Sequence, residues 1–238
     1  MATAFGILSR FEFLQDWASA LIAGINPAVV HNVAKYHTLK KVHYLSAIED
    51  IDGDYLEFGV YTGSSFCHSI RCCRKLAGLN PRILNACFFG FDSFAGFGTL
   101  SEGDQHPFYT DNRFDTSLAQ VDRRVSRVAR DITYRLVPGF FSDSLKAGAL
   151  HYGILKSRVI FVDSDTYSSA SEALTFSLPT VQNGTFFVLD DYYSYRGSEE
   201  HGVARAFSEF IEHGGLKVRQ VLTYGMGGSV YVVSGRRK

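Results

Sequence analysis

From residue 53 onward the chain is written as short apolar runs that stop at an acidic residue or a glycine, with helical segments between them. The runs cover residues 55–60, 87–91, 133–137, 159–162 and 185–189. Each has the length and the β-branched and aromatic content of a strand. Residues 64–79, 117–131, 167–178 and 199–212 have helical character. In the second of these, Leu118, Val121, Val125 and Val128 share one face, and Arg123, Arg124, Arg127 and Arg130 form the wet one. Ser64 and Ser65 open the first and are placed to cap its free amides. Strands alternating with helices imply an α/β fold with parallel strands, right-handed crossovers and both sheet faces covered. Two last runs, 217–223 and 228–233, are separated only by Tyr224-Gly225-Met226-Gly227, so an antiparallel hairpin should close the sheet.

The first fifty residues read differently. Phe11, Phe13, Leu14, Trp17, Ala18, Leu21 and Ile22 recur at helical spacing, Val42, Leu45, Ala47 and Ile48 form a second and shorter stripe, and Asn26-Pro27 divides them. The expected division is therefore a helical extension over 1–52, serving as a lid or a dimer contact, and one domain over 53–238.

Charge and cysteine content narrow the function. The chain has 238 residues, with 24 Lys and Arg against 24 Asp and Glu, so no long-range positive field exists to hold nucleic acid or an acidic membrane. The most apolar N-terminal stretch, residues 17–25, is about half the ~20 residues a bilayer span needs. Cys67, Cys72, Cys73 and Cys87 show neither C-x-x-C spacing nor a neighbouring paired histidine, which argues against zinc and against a secreted disulfide scaffold. Idle thiols in the reducing cytoplasm are the expectation.

In open α/β sheets ligands bind beyond the carboxyl ends of the strands. The first strand delivers Glu57-x-Gly59-x-x-x-Gly63 into a helix start, where glycines permit tight turning and the helix N-terminus offers free N–H groups. Glu57 stands where a dinucleotide fold has its first glycine. A carboxylate there repels a diphosphate but tolerates a cation such as S-adenosylmethionine. Asp92 ends the second strand and can accept hydrogen bonds from ribose hydroxyls, a test that NAD also passes. Two later strands end in Asp163-Ser164-Asp165 and Asp190-Asp191, which one strand–helix–strand unit brings to the same sheet edge. Four converging carboxylates repel one another unless shifted protons or a hard cation such as Mg²⁺ or Ca²⁺ relieve them.

Four segments taken together, Asp54-Tyr55-Leu56-Glu57-Phe58-Gly59-Val60-Tyr61-Thr62-Gly63-Ser64-Ser65, Gly90-Phe91-Asp92-Ser93-Phe94-Ala95-Gly96-Phe97, Val162-Asp163-Ser164-Asp165-Thr166-Tyr167-Ser168-Ser169 and Leu189-Asp190-Asp191-Tyr192, resemble the macrocin type of O-methyltransferase, which methylates macrolide sugars. The resemblance implies a Rossmann-like class I methyltransferase fold, seven strands with the hairpin last, using S-adenosylmethionine and a divalent metal, usually Mg²⁺. It implies that Glu57, Gly59, Tyr61, Gly63, Ser64, Ser65, Asp92, Ser93, Gly139, Phe140 and Asp163 surround the cofactor, and that Asp163, Asp190 and Asp191 hold the metal. The acceptor would be a hydroxyl of a small molecule, a sugar or polyol unit, and a homodimer is a family-based expectation.

Related catechol-type enzymes carry a lysine three positions after the first metal aspartate, where this chain has Thr166. The catalytic base must come from elsewhere, and Asp163 and Asp165 are the candidates. Residues 97–114, rich in glycine, aspartate and aromatic residues, could form a lid, and His106 within them is a further base candidate. The remaining histidines, His31 among them, show no ligand pattern. Two other readings stand beside this one: a D-x-D glycosyltransferase using Asp163 and Asp165, and a methyltransferase fold that binds without turnover.

Overall fold

Side chains along the first strand, β1 (Asp54–Phe58), alternate between two separate cores. Tyr55 joins one, Leu56 and Phe58 the other, and all three are fully buried. A strand covered on both faces reads as a continuous apolar run, which is why the period-two alternation is invisible in the sequence. This computed structural model describes residues 11–109 and 114–237.

The chain continues through α1 (Glu12–Ala23) and α2 (Pro27–Ile48) before β1, then α3 (Ser64–Leu76), β2 (Phe88–Asp92), α4 (Leu118–Ala129), β3 (Tyr134–Pro138), β4 (Ser157–Val162), α5 (Tyr167–Ser177), β5 (Val181–Leu189), α6 (Gly202–His213), β6 (Leu216–Tyr224) and β7 (Gly228–Arg236). One seven-stranded sheet has the order β3-β2-β1-β4-β5-β7-β6. Strands β1 to β5 run parallel, and β7 lies antiparallel between β5 and β6, as the short turn after Tyr224 requires. Buried residues of α2, α3 and α4 pack with Tyr55, Phe88 and Phe161 on one face; those of α5 and α6 pack with Leu56, Phe58 and Phe187 on the other. Strand order reverses between β1 and β4, so the crevice for a ligand opens above that pair.

Three local expectations change. The stripe at 42–48 is only the last part of α2, a 22-residue helix that Pro27 starts and Asn26 caps by accepting the Ala28 amide at 2.9 Å. Its inner face carries buried Lys35, Thr38 and His43 among apolar residues, which erased the hydrophobic period. Neither Ser64 nor Ser65 caps α3. Gly63, at φ +74°, holds the N-cap position, and Ser65 turns its hydroxyl inward to Glu57. Strand β5 begins four residues early, behind polar Gln182 and Asn183, because Thr185 ties the Gln182 amide and the Ser157 carbonyl together. All four cysteines are free thiols. Among the described residues no helix is long and apolar enough to cross a membrane.

Candidate active site

A cavity of about 630 Å³ opens above the β1/β4 junction. Its first wall is the turn after β1. Gly59 sits at φ +95°, and a Cβ there would lie 1.8 Å from the Asp163 carbonyl oxygen, so the missing side chain lets the ends of β1 and β4 close together. The next amides, Val60 and Tyr61, both donate to Asp92 Oδ2 at 2.7 Å, and Phe94 N–H donates to Asp92 Oδ1 at 2.7 Å. One carboxylate thereby fixes two loops, and its Oδ1 keeps acceptor capacity for a ligand. Burial raises the Asp92 pKa and the three amides oppose it.

Gly59, Tyr61, Ser64, Ser65, Asp92, Ser93 and Phe140 all line the cavity, as do Asp163, Asp165, Asp190 and Asp191. Glu57, Gly63 and Gly139 do not. Glu57 is fully buried beneath the turn, accepting from Tyr55 Oη at 2.5 Å and Ser65 Oγ at 2.6 Å, and burial pushes its pKa up to about 7.

The opposite wall is acidic. Asp163, Asp190 and Asp191 each offer a carboxylate oxygen, and the three oxygens lie within 4.8 Å of one another. Asp165, held at φ +62°, is a near electrostatic neighbour of Asp191 and Asp163. Burial, Asp191 and Asp163 raise the Asp165 pKa well above the usual range. Burial and Asp190 likewise push Asp163 up against the pull of Lys35. Asp190 moves the other way. Burial would raise it, but Lys35 and His31 outweigh burial and keep it ionised.

The cation among these acids is Lys35, which the sequence reading did not single out. Its Nζ donates to Asp163 Oδ2 at 2.8 Å and lies 2.6 Å from Asp190 Oδ2. Burial alone would lower its pKa, yet the two aspartates raise it well above the ordinary lysine value. His31, one helical turn earlier, also reaches the site. Met226 N–H donates to its Nδ1 at 3.2 Å, so Nε2 bears the proton and donates to Asp190 Oδ2 at 3.0 Å. Tyr224 donates to Asp190 Oδ1 at 2.6 Å and Tyr109 to Asp191 Oδ1 at 3.1 Å. The i, i+4 pair His31–Lys35 on a helix with a buried face was the available signal.

The expected lid is a wall of the cavity over the described part of residues 97–114; 110–113 lie outside the described residues. Phe97, Phe108, Tyr109 and Phe114 face the cavity, and buried Asp104 anchors the segment to α5 through Ser168. His106 stacks on Tyr109, with ring centroids 4.4 Å apart, and does not line the cavity.

Residues 26–219 match the family described as Macrocin-O-methyltransferase (TylF). The chain belongs to this family. Macrocin-type relatives include the mycinamicin III 3''-O-methyltransferase of Micromonospora griseorubida, 28% identical and covering 79% of this chain and 78% of its own. Another is the 8-demethyl-8-(2,3-dimethoxy-alpha-L-rhamnosyl)-tetracenomycin-C 4'-O-methyltransferase of Streptomyces olivaceus, 27% identical over 77% of this chain and 73% of its own. The fold is shared with the O-methyltransferase NovP, at TM-score 0.67 and 21% identity over 85% of this chain and 79% of that one. The macrocin-type chain is thus an S-adenosylmethionine-dependent O-methyltransferase with a class I sheet.

Proposed function

We propose that the chain methylates a sugar or polyol hydroxyl of a natural product in the cytoplasm, with a divalent cation, Mg²⁺, held by Asp163, Asp190 and Asp191. The observation that carries this reading is the meeting of those three carboxylates opposite the Gly59–Ser65 turn across one cavity. The donor set is hard oxygen, as Mg²⁺ requires. Lys35 Nζ, resting on oxygens of Asp163 and Asp190, marks the place where positive charge is stabilised. One relative's name supports the acceptor class, since it describes O-methylation of a rhamnosyl-bearing tetracenomycin.

When bound, S-adenosylmethionine supplies an activated methyl group and the cation lowers the pKa of the acceptor hydroxyl. The chain contributes placement and a proton acceptor. Tyr61, Ser64, Ser65, Asp92, Ser93 and Phe140 form the cofactor wall, with the free lone pairs of Asp92 Oδ1 directed to ribose hydroxyls. Asp165 serves as the base. It borders the metal carboxylates without being tied to Lys35, and burial sets its proton affinity above that of an ordinary aspartate. The acceptor proton passes to Asp165 as the methyl group moves from sulfur to oxygen. Phe108, Tyr193 and Met226 at the rim offer an apolar surface to the rest of the acceptor.

Labelled methyl transfer to a panel of deoxysugar glycosides, with Mg²⁺ or with chelator, tests the reading. Asp191→Ala should lower the rate roughly a hundred- to a thousandfold, the several kcal/mol a metal supplies to developing charge. S-adenosylhomocysteine should still bind the variant. Full activity of Asp191→Ala in chelator would remove the metal from the reaction, and binding of UDP-sugars in place of the adenosyl ligand would favour the D-x-D glycosyltransferase.

A further inference from the structure

A second cavity, of about 230 Å³, lies at the other end of the sheet, beside the amino ends of β1 and β4. The end of α2 and the 3₁₀ turn Pro81–Asn85 flank it, and Ala47, Asp50, Asp52, Ile83 and Arg158 are among its walls. Arg158, on β4, is only 2% exposed. Its Nη2 donates to the Ile83 carbonyl at 2.9 Å and to Cys73 Sγ at 3.4 Å, while its Nε has no partner among the described residues. Neither bond brings a negative charge. Burial pushes the Cys73 thiol up to about 12, so it stays neutral. Among the described residues no carboxylate forms an ion pair with Arg158. Asp54 and Asp52 favour its charged form only from a distance. A guanidinium stays protonated at neutral pH, and a buried cation without a paired anion is costly.

We propose that this cavity binds a small carboxylate anion, seated on the Arg158 guanidinium. Ile83 lines the cavity and its carbonyl takes the Nη2 bond, so the guanidinium stands at the cavity wall. The open Nε–H can donate to a carboxylate oxygen, a charge-assisted bond that answers the buried charge. The rim selects the charge of the ligand. Arg82 and Asn80 are engaged by Asp50, and Asp52 has no basic partner among the described residues. These acids repel a phosphate dianion more strongly than a single carboxylate charge. The site lies at the opposite end of β4 from Asp163, so the inference depends on neither the metal nor the methyl acceptor.

Thermal unfolding of the full chain in metal-free buffer, with sodium acetate replacing sodium chloride at constant ionic strength, tests the site. The melting temperature should rise with acetate and level off as the site fills, and phosphate should raise it less. Arg158→Met should lose the rise. In chloride alone it should melt no lower than the wild type, because an apolar side chain has replaced a buried unpaired charge. Asp52→Asn, at an exposed position, should tighten acetate at least about twofold. Should Arg158→Met fail to fold, the Asp52→Asn shift and the contrast between acetate and phosphate decide. An acetate response no greater than that of chloride means a cavity for water alone and overturns the proposal. So does a response that Arg158→Met retains, that Asp52→Asn leaves unaltered, or that phosphate matches, which would mark an adventitious ion only.

Discussion

At the tips of β1 and β2 each carboxylate is met by neutral donors alone, whereas at the tips of β4 and β5 four carboxylates crowd together and a lysine ammonium touches only Asp163 and Asp190. Glu57 and Asp92 are answered locally, by two hydroxyls and by three backbone amides. Asp163, Asp190 and Asp191 are answered by a helix that precedes the sheet in sequence and by two tyrosine hydroxyls, and Asp165 faces its fellow carboxylates. The first wall is complete as folded. The second carries more negative charge than its own chain neutralises, which is what a site for a cation looks like before the cation is considered. Structure-forming acids and chemistry-bearing acids are thus separated by the kind of partner they have.

The largest effect that would break this contrast belongs to Asp92. Asp92→Ala strips an acceptor from the Val60, Tyr61 and Phe94 amides, three bonds to a charged group at about 1.5–3 kcal/mol each. Urea unfolding should show a loss of roughly 5 kcal/mol once partial rescue by water is allowed for, and S-adenosylhomocysteine affinity should fall with it. An unchanged midpoint would mean that the loops hold themselves and that Asp92 serves the ligand alone.

Lys35 sharpens the other side. Lys35→Met leaves half-buried Asp163 and buried Asp190 without their shared cation, a break that costs up to about 3–5 kcal/mol. In metal-free buffer the melting temperature should drop, and Mg²⁺ should restore it. Removing one positive charge from contact with the carboxylates should also tighten Mg²⁺ at least about tenfold by calorimetry. Mg²⁺ affinity that stays constant or weakens would show that Lys35 and the metal do not draw on the same oxygens.

The contrast also sets what could be read from the sequence. Parallel strands announce themselves as apolar runs, and residues at their carboxyl ends are placed by topology alone, so the meeting of Asp163 with Asp190 and Asp191 followed from one strand–helix–strand interval. Lys35 lies 128 positions from Asp163. Its approach depends on how α2 packs across the sheet, and no periodicity encodes that. Glu57 shows a second limit. Its place in the E-x-G-x-x-x-G run was legible, but whether it faces the ligand or lies beneath the turn depends on Tyr55 and Ser65 competing for it. Gly59 was readable as a glycine with a purpose; that the purpose is clearance for the Asp163 carbonyl required coordinates.

Glu57 also yields the smallest and cleanest test. Its carboxyl, buried between two hydroxyls, keeps its proton to about pH 7, above the ordinary 4.5 of the unfolded chain. Below pH 4.5 both states are protonated and the group is neutral to stability. Between that pH and about 7 the folded state holds a proton that the unfolded state has released, so stability falls as pH rises; above 7 the loss is constant. It amounts to at most about 3.5 kcal/mol, from the ~1.4 kcal/mol that each pH step is worth. Glu57→Gln keeps the shape and removes the titration. The variant should therefore gain on the wild type in urea midpoint from pH 5 to pH 7.5, with methyl transfer changed little, since residue 57 does not line the cavity. If transfer collapses in the glutamine variant while stability runs parallel to the wild type, Glu57 belongs with the chemistry, and the division between the two walls fails at its first residue.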